Sequence, residues 1–473
     1  MSKAAFLDRE TPSDCLAVHY FMGAMMKMNS FDLFMECIHL GKAVCEAFAG
    51  FGEEAHSGED PGFKLTDVRD DLEAFLPKIP MLLNEKQAEL FRSKTGALLK
   101  DCEEFGKSEI EKEKLLEDFE DWNHTRAELF TVLAINTALF SRNNEEQAAR
   151  LLEAVLSDKS AAQFEPVADY ALGQVVRKLQ PLRSYELGIK AFEQNNRLAW
   201  EIMPKDAPVR SYVYSRAEED YFDRCPICHG TGTPFYCAAQ VCAMNYNPMF
   251  SPMKLWMKCD SCGQLYTYNF PKKIAEPQPE NEELGDALYL QPRLGLLPLF
   301  GDILKRVAQY TQGRKLLDVG AGSGELIAAA LELGFDAEGI EISKRQALRL
   351  KELLKVEIHC MDFLSFQTSK RFDLITMGDV IEHVTDPAAA IKKANGLLAE
   401  NGILWISTPN YESGFSRIRG FDDPMWLEPY HITYFCYRGF KKFLSEYGFE
   451  VLDYSISKRY NGSMEIIVKK RGG

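Results

Sequence analysis

The segment Lys315-Leu-Leu-Asp318-Val-Gly320-Ala-Gly322-Ser-Gly324-Glu-Leu constrains this chain more than any other. An aliphatic run ends in three closely spaced glycines and opens into a helical pattern, so it reads as strand, turn and helix. Glycines there let the backbone bend sharply and let a ligand reach amide groups with no Cβ in the way. From about residue 291 onward, short aliphatic or β-branched runs (315–319, 337–342, 373–377, 402–407, 450–456, 463–468) alternate with helical stretches. That alternation predicts an α/β domain on a mainly parallel sheet.

The ligand of this turn can be narrowed. A dinucleotide site would carry G-x-G-x-x-G, and here the third glycine comes one residue early. Asp318, just before the turn, would repel a pyrophosphate but suits a cationic ligand. The next run ends in Ala337-Glu-Gly-Ile-Glu341, a carboxylate placed to take both hydroxyls of a ribose. After a third strand, Cys360-Met-Asp362-Phe363 offers an acid and an aromatic ring suited to an adenine amino group and ring face.

With those residues in view, the C-terminal part resembles the class I S-adenosylmethionine-dependent methyltransferases, in the small-molecule branch with ubiquinone-biosynthesis and sugar methyltransferases. The segments that carry the resemblance are LLDVGAGSGELIAAALELGFDAEGIEIS, FDLITMGDVIEHVTDP, LLAENGILWISTPN and EPYHITYFCYRGFKKFLSEYGFEVL, in the family's order. It implies a Rossmann-like domain over 299–473 with a seven-stranded, mostly parallel sheet, and S-adenosyl-L-methionine as donor. By the same resemblance, Asp318, Gly320, Gly322 and Gly324 would wrap the donor's amino-acid end and Glu341 its ribose. Asp362 and Phe363 would take the adenine, with Gly378 and Asp379 under the sulfonium. Enzymes that methylate exocyclic or amide nitrogens in nucleic acid and protein often carry Asn/Asp-Pro-Pro-Tyr at that last position. This chain has Gly378-Asp379-Val380-Ile381. The implied substrate is therefore a small molecule, a sugar nucleotide or secondary-metabolite intermediate. The alternative is a protein substrate docked by the rest of the chain.

Methyl transfer is an in-line displacement, so the protein must position the acceptor and, for a hydroxyl or carbon acid, remove a proton. The candidates are Glu382 and His383 after the fourth strand and Tyr430 and His431 after the fifth. Histidine serves as a base near neutral pH. The competing reading of His383 is a helix cap, because Asp386-Pro387 follows it. Trp426 and Tyr434 read as lid or core, and Ser407-Thr408-Pro409-Asn410 as the acceptor mouth.

Ahead of this domain, Cys225-Pro-Ile-Cys228 and Cys259-Asp-Ser-Cys262 form two Cys-x-x-Cys knuckles separated by 30 residues. Each two-residue spacer lets both thiolates reach one ion, and four sulfurs make the tetrahedral shell that Zn²⁺ prefers. A redox pair would need a thioredoxin-like βαβ context, which this stretch lacks. Four thiolates leave no position for water, so the zinc reads as structural. Cys237, Cys242 and His229 are competing ligands, more in keeping with core positions. A zinc ribbon over 215–271 is the expectation, similar to modules ahead of bacterial methyltransferases of sugar and natural-product tailoring. A linker over 272–298 follows.

Residues 1–205 read as a helical domain of unknown role and a candidate platform for a protein partner. Apolar residues recur there at spacings of three and four, as in Leu72, Phe75, Leu76 and in Leu151, Leu152, Val155, Leu156. The net charge of −15 lies wholly before Asp302, since 23 basic and 23 acidic residues balance from there on. Such a surface repels phosphate backbones and anionic lipid, so neither nucleic acid nor membrane is an expected partner. MSKAAFLDRE lacks the order of a signal peptide and no apolar run spans a bilayer, so a cytoplasmic chain is the expectation. Cys15, Cys37, Cys45, Cys102, Cys360 and Cys436, scattered singly, read as reduced core thiols.

Overall fold

A computed structural model describes residues 31–53, 62–140, 144–194, 215–242, 246, 249–272 and 295–471. Cys15 and the interdomain stretches 205–210 and 273–294 lie outside them. The chain divides into two compact units, Met1–Asn195 and Asn196–Gly473.

The first unit is helical: α1 (Phe31–Glu53), α2 (Gly62–Phe75), α3 (Ile79–Leu82), α4 (Glu85–Gly106), α5 (Lys112–Phe140), α6 (Glu145–Leu156), α7 (Glu165–Val176) and α8 (Pro181–Gln194). Helix α4 shows how the sequence sets these elements. Asn84 and Gln87 cap its start reciprocally, and Ala88, Phe91, Thr95, Leu98 and Cys102 recur at helical spacing to form its buried stripe. Trp122 of α5 is fully buried, with its indole N–H donating to Thr95 Oγ1 at 3.0 Å. Arg126 reaches Asp158 at 2.7 Å, and both side chains are buried. The apolar stretch 129–140 ends α5, and no described helix is long and apolar enough to cross a membrane.

The second unit begins with the Cys-rich strands β1 (Glu219–Tyr221), β2 (Gly232–Ala239), β3 (Met253–Cys259), β4 (Leu265–Thr267) and β5 (Asn269–Pro271). The α/β layer follows: α9 (Leu296–Val307), β6 (Lys315–Val319), α10 (Glu325–Glu332), β7 (Asp336–Glu341), α11 (Lys344–Leu354), β8 (Ile358–Cys360), β9 (Phe372–Gly378), α12 (Pro387–Leu397), β10 (Leu398–Pro409), α13 (Gly414–Arg419), β11 (Thr433–Tyr434), α14 (Tyr437–Glu446), β12 (Phe449–Ile456) and β13 (Ser463–Lys470). Helix α9 starts at Leu296, inside the stretch expected to be linker.

Seven strands form one sheet in the order β12-β13-β10-β9-β6-β7-β8. It is a mixed sheet. β6 pairs parallel with β7 and β9, β7 with β8, and β9 with β10, whereas β13 runs antiparallel to both β10 and β12. Alternate residues feed two cores: Leu317, Ile375 and Leu404 pack with α12 and α14, while Leu316, Leu374 and Trp405 pack with α9 and α10. The chain runs from β6 outward through β7 and β8, then crosses back to β9 on the other side. Where the strand order reverses, the carboxyl ends of β6 and β9 mark the place of the crevice in which such sheets usually bind ligands.

The Cys-rich strands do not stand apart from this layer. Strands β2, β3 and β4 form an antiparallel meander, and β4 pairs with β11, which follows the α/β strand β10 in the chain. Trp256 donates its indole N–H to Trp426 O at 3.3 Å, and Gln264 Oε1 accepts from the Cys436 amide at 2.7 Å. Trp426 and Tyr434 are core residues of this junction, 4% and 0% exposed. Among the singly scattered cysteines Cys37, Cys102 and Cys436 are buried, but Cys360 is exposed because it ends the edge strand β8.

Candidate functional site

The glycine turn joins β6 to α10 at the reversal point. Gly320 has φ +75°, and a Cβ there would lie 2.6 Å from Val380 Cγ2, so the turn and the end of β9 approach as only glycine allows. Gly324, at φ +91°, faces Leu350 in the same way. Gly322 differs: its φ is +54°, but a Cβ would meet nothing nearer than Gly320 O at 3.9 Å. Its surroundings are open toward the crevice.

Two buried carboxylates sit behind the turn. Asp318 accepts from Thr376 Oγ1 at 2.7 Å, and burial pushes its carboxyl up to about 7. Glu341 accepts from the Gly322 amide and the Ser343 amide, each at 2.8 Å, which ties the ends of β6 and β7 together. Burial raises its carboxyl, against the lowering effect of those amides. Beyond Glu341, Ile342 stays 69% exposed. At the end of the neighbouring strand Met361 is also exposed and Asp362 accepts from the Leu364 amide at 2.8 Å. Phe363 departs from expectation. Its ring is 6% exposed and packs inward with Phe366, because the short 3₁₀ turn Phe363–Ser365 aims it at the core. Ile342 and Met361 are the apolar side chains left at the surface there; nothing but their place after a strand end marks them in the sequence.

On the other side of the crevice, Gly378 ends β9 against Trp405, and Asp379 takes φ +57°, a rare conformation for a non-glycine residue. Its carboxylate accepts from Ser407 Oγ at 2.5 Å and pairs with Arg459 at 3.1 Å. Ser407 and Arg459 come from β10 and from the connection between β12 and β13, so sequence reasoning gave Arg459 no role.

Glu382, His383 and His431 come together. Glu382 is fully buried; its Oε2 accepts from Thr408 Oγ1 at 3.0 Å, while Oε1 has no partner. Burial and the nearby Asp379 push its carboxyl well up. The two imidazoles meet edge to face with centroids 4.6 Å apart. His383 Nδ1 lies 3.1 Å from Tyr430 O, and a carbonyl only accepts, so Nδ1 carries the hydrogen. His431 Nδ1 lies 2.8 Å from Tyr434 OH, whose own hydrogen goes to Met425 O, so this Nδ1 is again the donor. Both rings therefore present Nε2 as a lone pair. Desolvation holds both below the usual imidazole value, His431 well below it with His383 adding to the effect. His383 does not cap the next helix; Asp386 does, accepting from the Ala389 amide at 2.8 Å. The Tyr430 ring packs edge-on against Phe250 at 4.6 Å, so this residue enters the site through its carbonyl.

The loop bearing His431 is pinned from the Cys-rich sheet. Lys254 of β3 is 1% exposed, and its ammonium donates to the carbonyls of Glu428, Pro429 and His431 at 2.9, 3.1 and 2.5 Å. A buried lysine in a sequence window otherwise free of acids and bases was the available signal.

The four knuckle cysteines converge. The Sγ atoms of Cys225, Cys228, Cys259 and Cys262 all lie within 4.8 Å of one another, with Cys225–Cys262 at 3.7 Å and Cys228–Cys259 at 3.4 Å. Tetrahedral Zn–S bonds of about 2.3 Å place sulfurs roughly 3.8 Å apart, so the donor set fits one zinc ion. Cys237 is buried in β2 and His229 exposed, both outside this group; the Cys242 side chain lies outside the described residues.

Residues 293–454 match the family model described as a methyltransferase domain. A ubiquinone biosynthesis O-methyltransferase of Bordetella avium is 29% identical over 128 residues, covering 25% of this chain and 53% of that protein. One of Actinobacillus pleuropneumoniae is 33% identical over 126 residues, covering 24% and 54%. Among solved structures, an S-adenosylmethionine-dependent methyltransferase from Clostridium acetobutylicum aligns with 41% of this chain and 97% of its own, at 14% identity and a TM-score of 0.32. The chain spans about half the length of the curated relatives it matches. Its C-terminal part is thus similar, over residues 293–454, to a methyltransferase domain.

Proposed function

We propose that this protein transfers a methyl group from S-adenosyl-L-methionine to an oxygen of a small-molecule acceptor. The observation that carries the donor half is the Glu341 carboxylate, locked by the Gly322 amide at the mouth of an open glycine turn with Asp318 behind it. Gly320, Gly322 and Gly324 hold the amino-acid end, and Asp318 faces its ammonium. Glu341 takes the ribose hydroxyls. Asp362 takes the adenine amino group, with Ile342 and Met361 in place of Phe363 as apolar contacts. Gly378 and Asp379 lie under the sulfonium. The oxygen acceptor is suggested by the relatives, which are named O-methyltransferases.

Glu382, His383 and His431 line the acceptor side, and Tyr430 orients His383. The four knuckle cysteines hold a structural zinc ion, and the zinc-ribbon strands brace the acceptor loop through Lys254. A protein acceptor is the weaker reading, since nothing among the described residues of the acceptor side favours it.

Two measurements test this. Calorimetry with S-adenosyl-L-methionine should show one donor per chain, and Glu341→Ala should weaken it by about 1–3 kcal/mol. Incubation with methyl-labelled donor and a cell extract should place the label in the low-molecular-weight fraction. Label in protein would overturn the acceptor class, and absence of donor binding would overturn the activity.

A further inference from the structure

The acceptor side has features that acid–base work alone leaves unexplained. Glu382 is fully buried, yet one carboxylate oxygen has no partner. Buried polar atoms are nearly always satisfied, so an orphan of this kind asks for something not yet in place. Two imidazoles crowd the same spot, each with Nδ1 engaged by an oxygen and Nε2 left as a lone pair. One proton acceptor would serve a base; a ring nitrogen of each histidine and a carboxylate oxygen, all within 4.8 Å of one another, are more than it needs.

We propose that Glu382, His383 and His431 form a second metal centre, a two-histidine, one-carboxylate site for a divalent transition-metal ion. One ring nitrogen of each histidine and one oxygen of Glu382 already lie within 4.8 Å of one another. Bonds of about 2.0–2.2 Å hold the donors of one ion roughly 3–4 Å apart, so adjustment of about 1 Å closes the shell. The outer contacts are those a metal-bound histidine makes: its other ring N–H goes to a carbonyl or hydroxyl, which fixes the tautomer and the ring. Tyr430 O does this for His383 and Tyr434 OH for His431, while Thr408 orients Glu382. Imidazole ligands favour ions such as Zn²⁺, Fe²⁺ or Co²⁺ over Ca²⁺ and Mg²⁺. Three protein ligands leave coordination positions open for an acceptor oxygen or water.

The role of the ion rests on the methyltransferase reading; its binding does not. An acceptor hydroxyl on an open position becomes more acidic and gives its proton to solvent. The metal-held oxygen then attacks the donor methyl carbon: the O–C bond forms, the C–S bond breaks, and sulfur keeps the electron pair as a neutral thioether.

The test is a Co²⁺ titration of the full chain with zinc already in the cysteine site. One Co²⁺ per chain should bind, with visible d–d absorbance and no thiolate charge-transfer band. His383→Ala and Glu382→Gln should each weaken that binding by roughly 100-fold. Thermal midpoint and S-adenosyl-L-methionine affinity, measured on the same samples, report folding independently. No Co²⁺ bound by the wild-type chain, or unchanged affinity in both folded variants, would overturn the centre. The two readings fail separately, because the absorbance is read without donor and donor binding without Co²⁺.

Discussion

The two sides of the crevice are built in different ways. The proposed donor side is nearly contiguous: Asp318 to Gly324 supply a turn, and Glu341 accepts from the Gly322 amide across to the adjacent strand at 2.8 Å. The acceptor side is drawn from β9, β10, the loop before β11 and, through Lys254, the Cys-rich sheet. A cofactor shared by many proteins can be met by one turn with fixed backbone geometry. A particular acceptor needs side chains from several segments, held by whatever packs behind them. Changes on the donor side should therefore act on donor affinity alone, and changes behind the acceptor side on turnover alone.

The largest expected effect is on the donor turn. Gly320→Val places a β-branched side chain at φ +75° and against Val380 Cγ2, so both the backbone and the crevice resist it. Donor affinity should fall by more than about 100-fold with the zinc content unchanged, as calorimetry and elemental analysis would show. Gly322→Ala is the sharper probe. It meets open space but sits at φ +54°, so donor loss at an unchanged thermal midpoint would report the close approach of the donor itself.

Next comes the brace. If the four cysteines hold zinc as proposed, removing it, or Cys259→Ser, should unfold the knuckles and free β4 from β11, since structural zinc is worth roughly 10–16 kcal/mol in isolated modules. Turnover should drop more than about tenfold while donor affinity stays within about twofold. Equal loss of both would dissolve the distinction between the two sides. Lys254→Met should do the same more mildly. It leaves three carbonyls without their donor at about 1–3 kcal/mol each, read as a lower thermal midpoint and slower turnover.

A smaller effect is protonic. The folded value of Asp318, about 7, lies above an unfolded carboxylate near 3.8. The folded chain therefore holds a proton the unfolded chain has lost, and this contribution to stability, full below about 4, fades as pH rises toward 7. A cationic donor favours the charged carboxylate, so its binding near pH 7 should release a proton. Calorimetry in buffers of different ionisation enthalpy measures this, and Asp318→Asn should abolish it. Smallest of all, Lys370→Ala breaks an exposed pair with Glu338 and should cost no more than about 1 kcal/mol, with donor affinity and turnover intact.

Sequence by itself determined the glycine turn and the two carboxylates behind it, because their geometry is local. A strand, three glycines and a helix make one turn wherever they occur, and both Asp318 and Glu341 sit at strand ends that alternation already marks. The convergence of the knuckle cysteines was legible for the same reason, as two residues between thiols let both point to one place. What the sequence left open is what requires distant segments to meet. The sequence offers Phe363 as a ring face for a ligand, but a 3₁₀ turn sends it into the core. His383 could have capped a helix until Asp386 was seen to do so. The pairing of β4 with β11, and the ammonium of Lys254 on the loop of His431, join residues more than 160 positions apart. No periodicity encodes such contacts. They follow from burying the aromatic faces of Trp256, Trp426 and Tyr434 together, which only the packed tertiary structure decides.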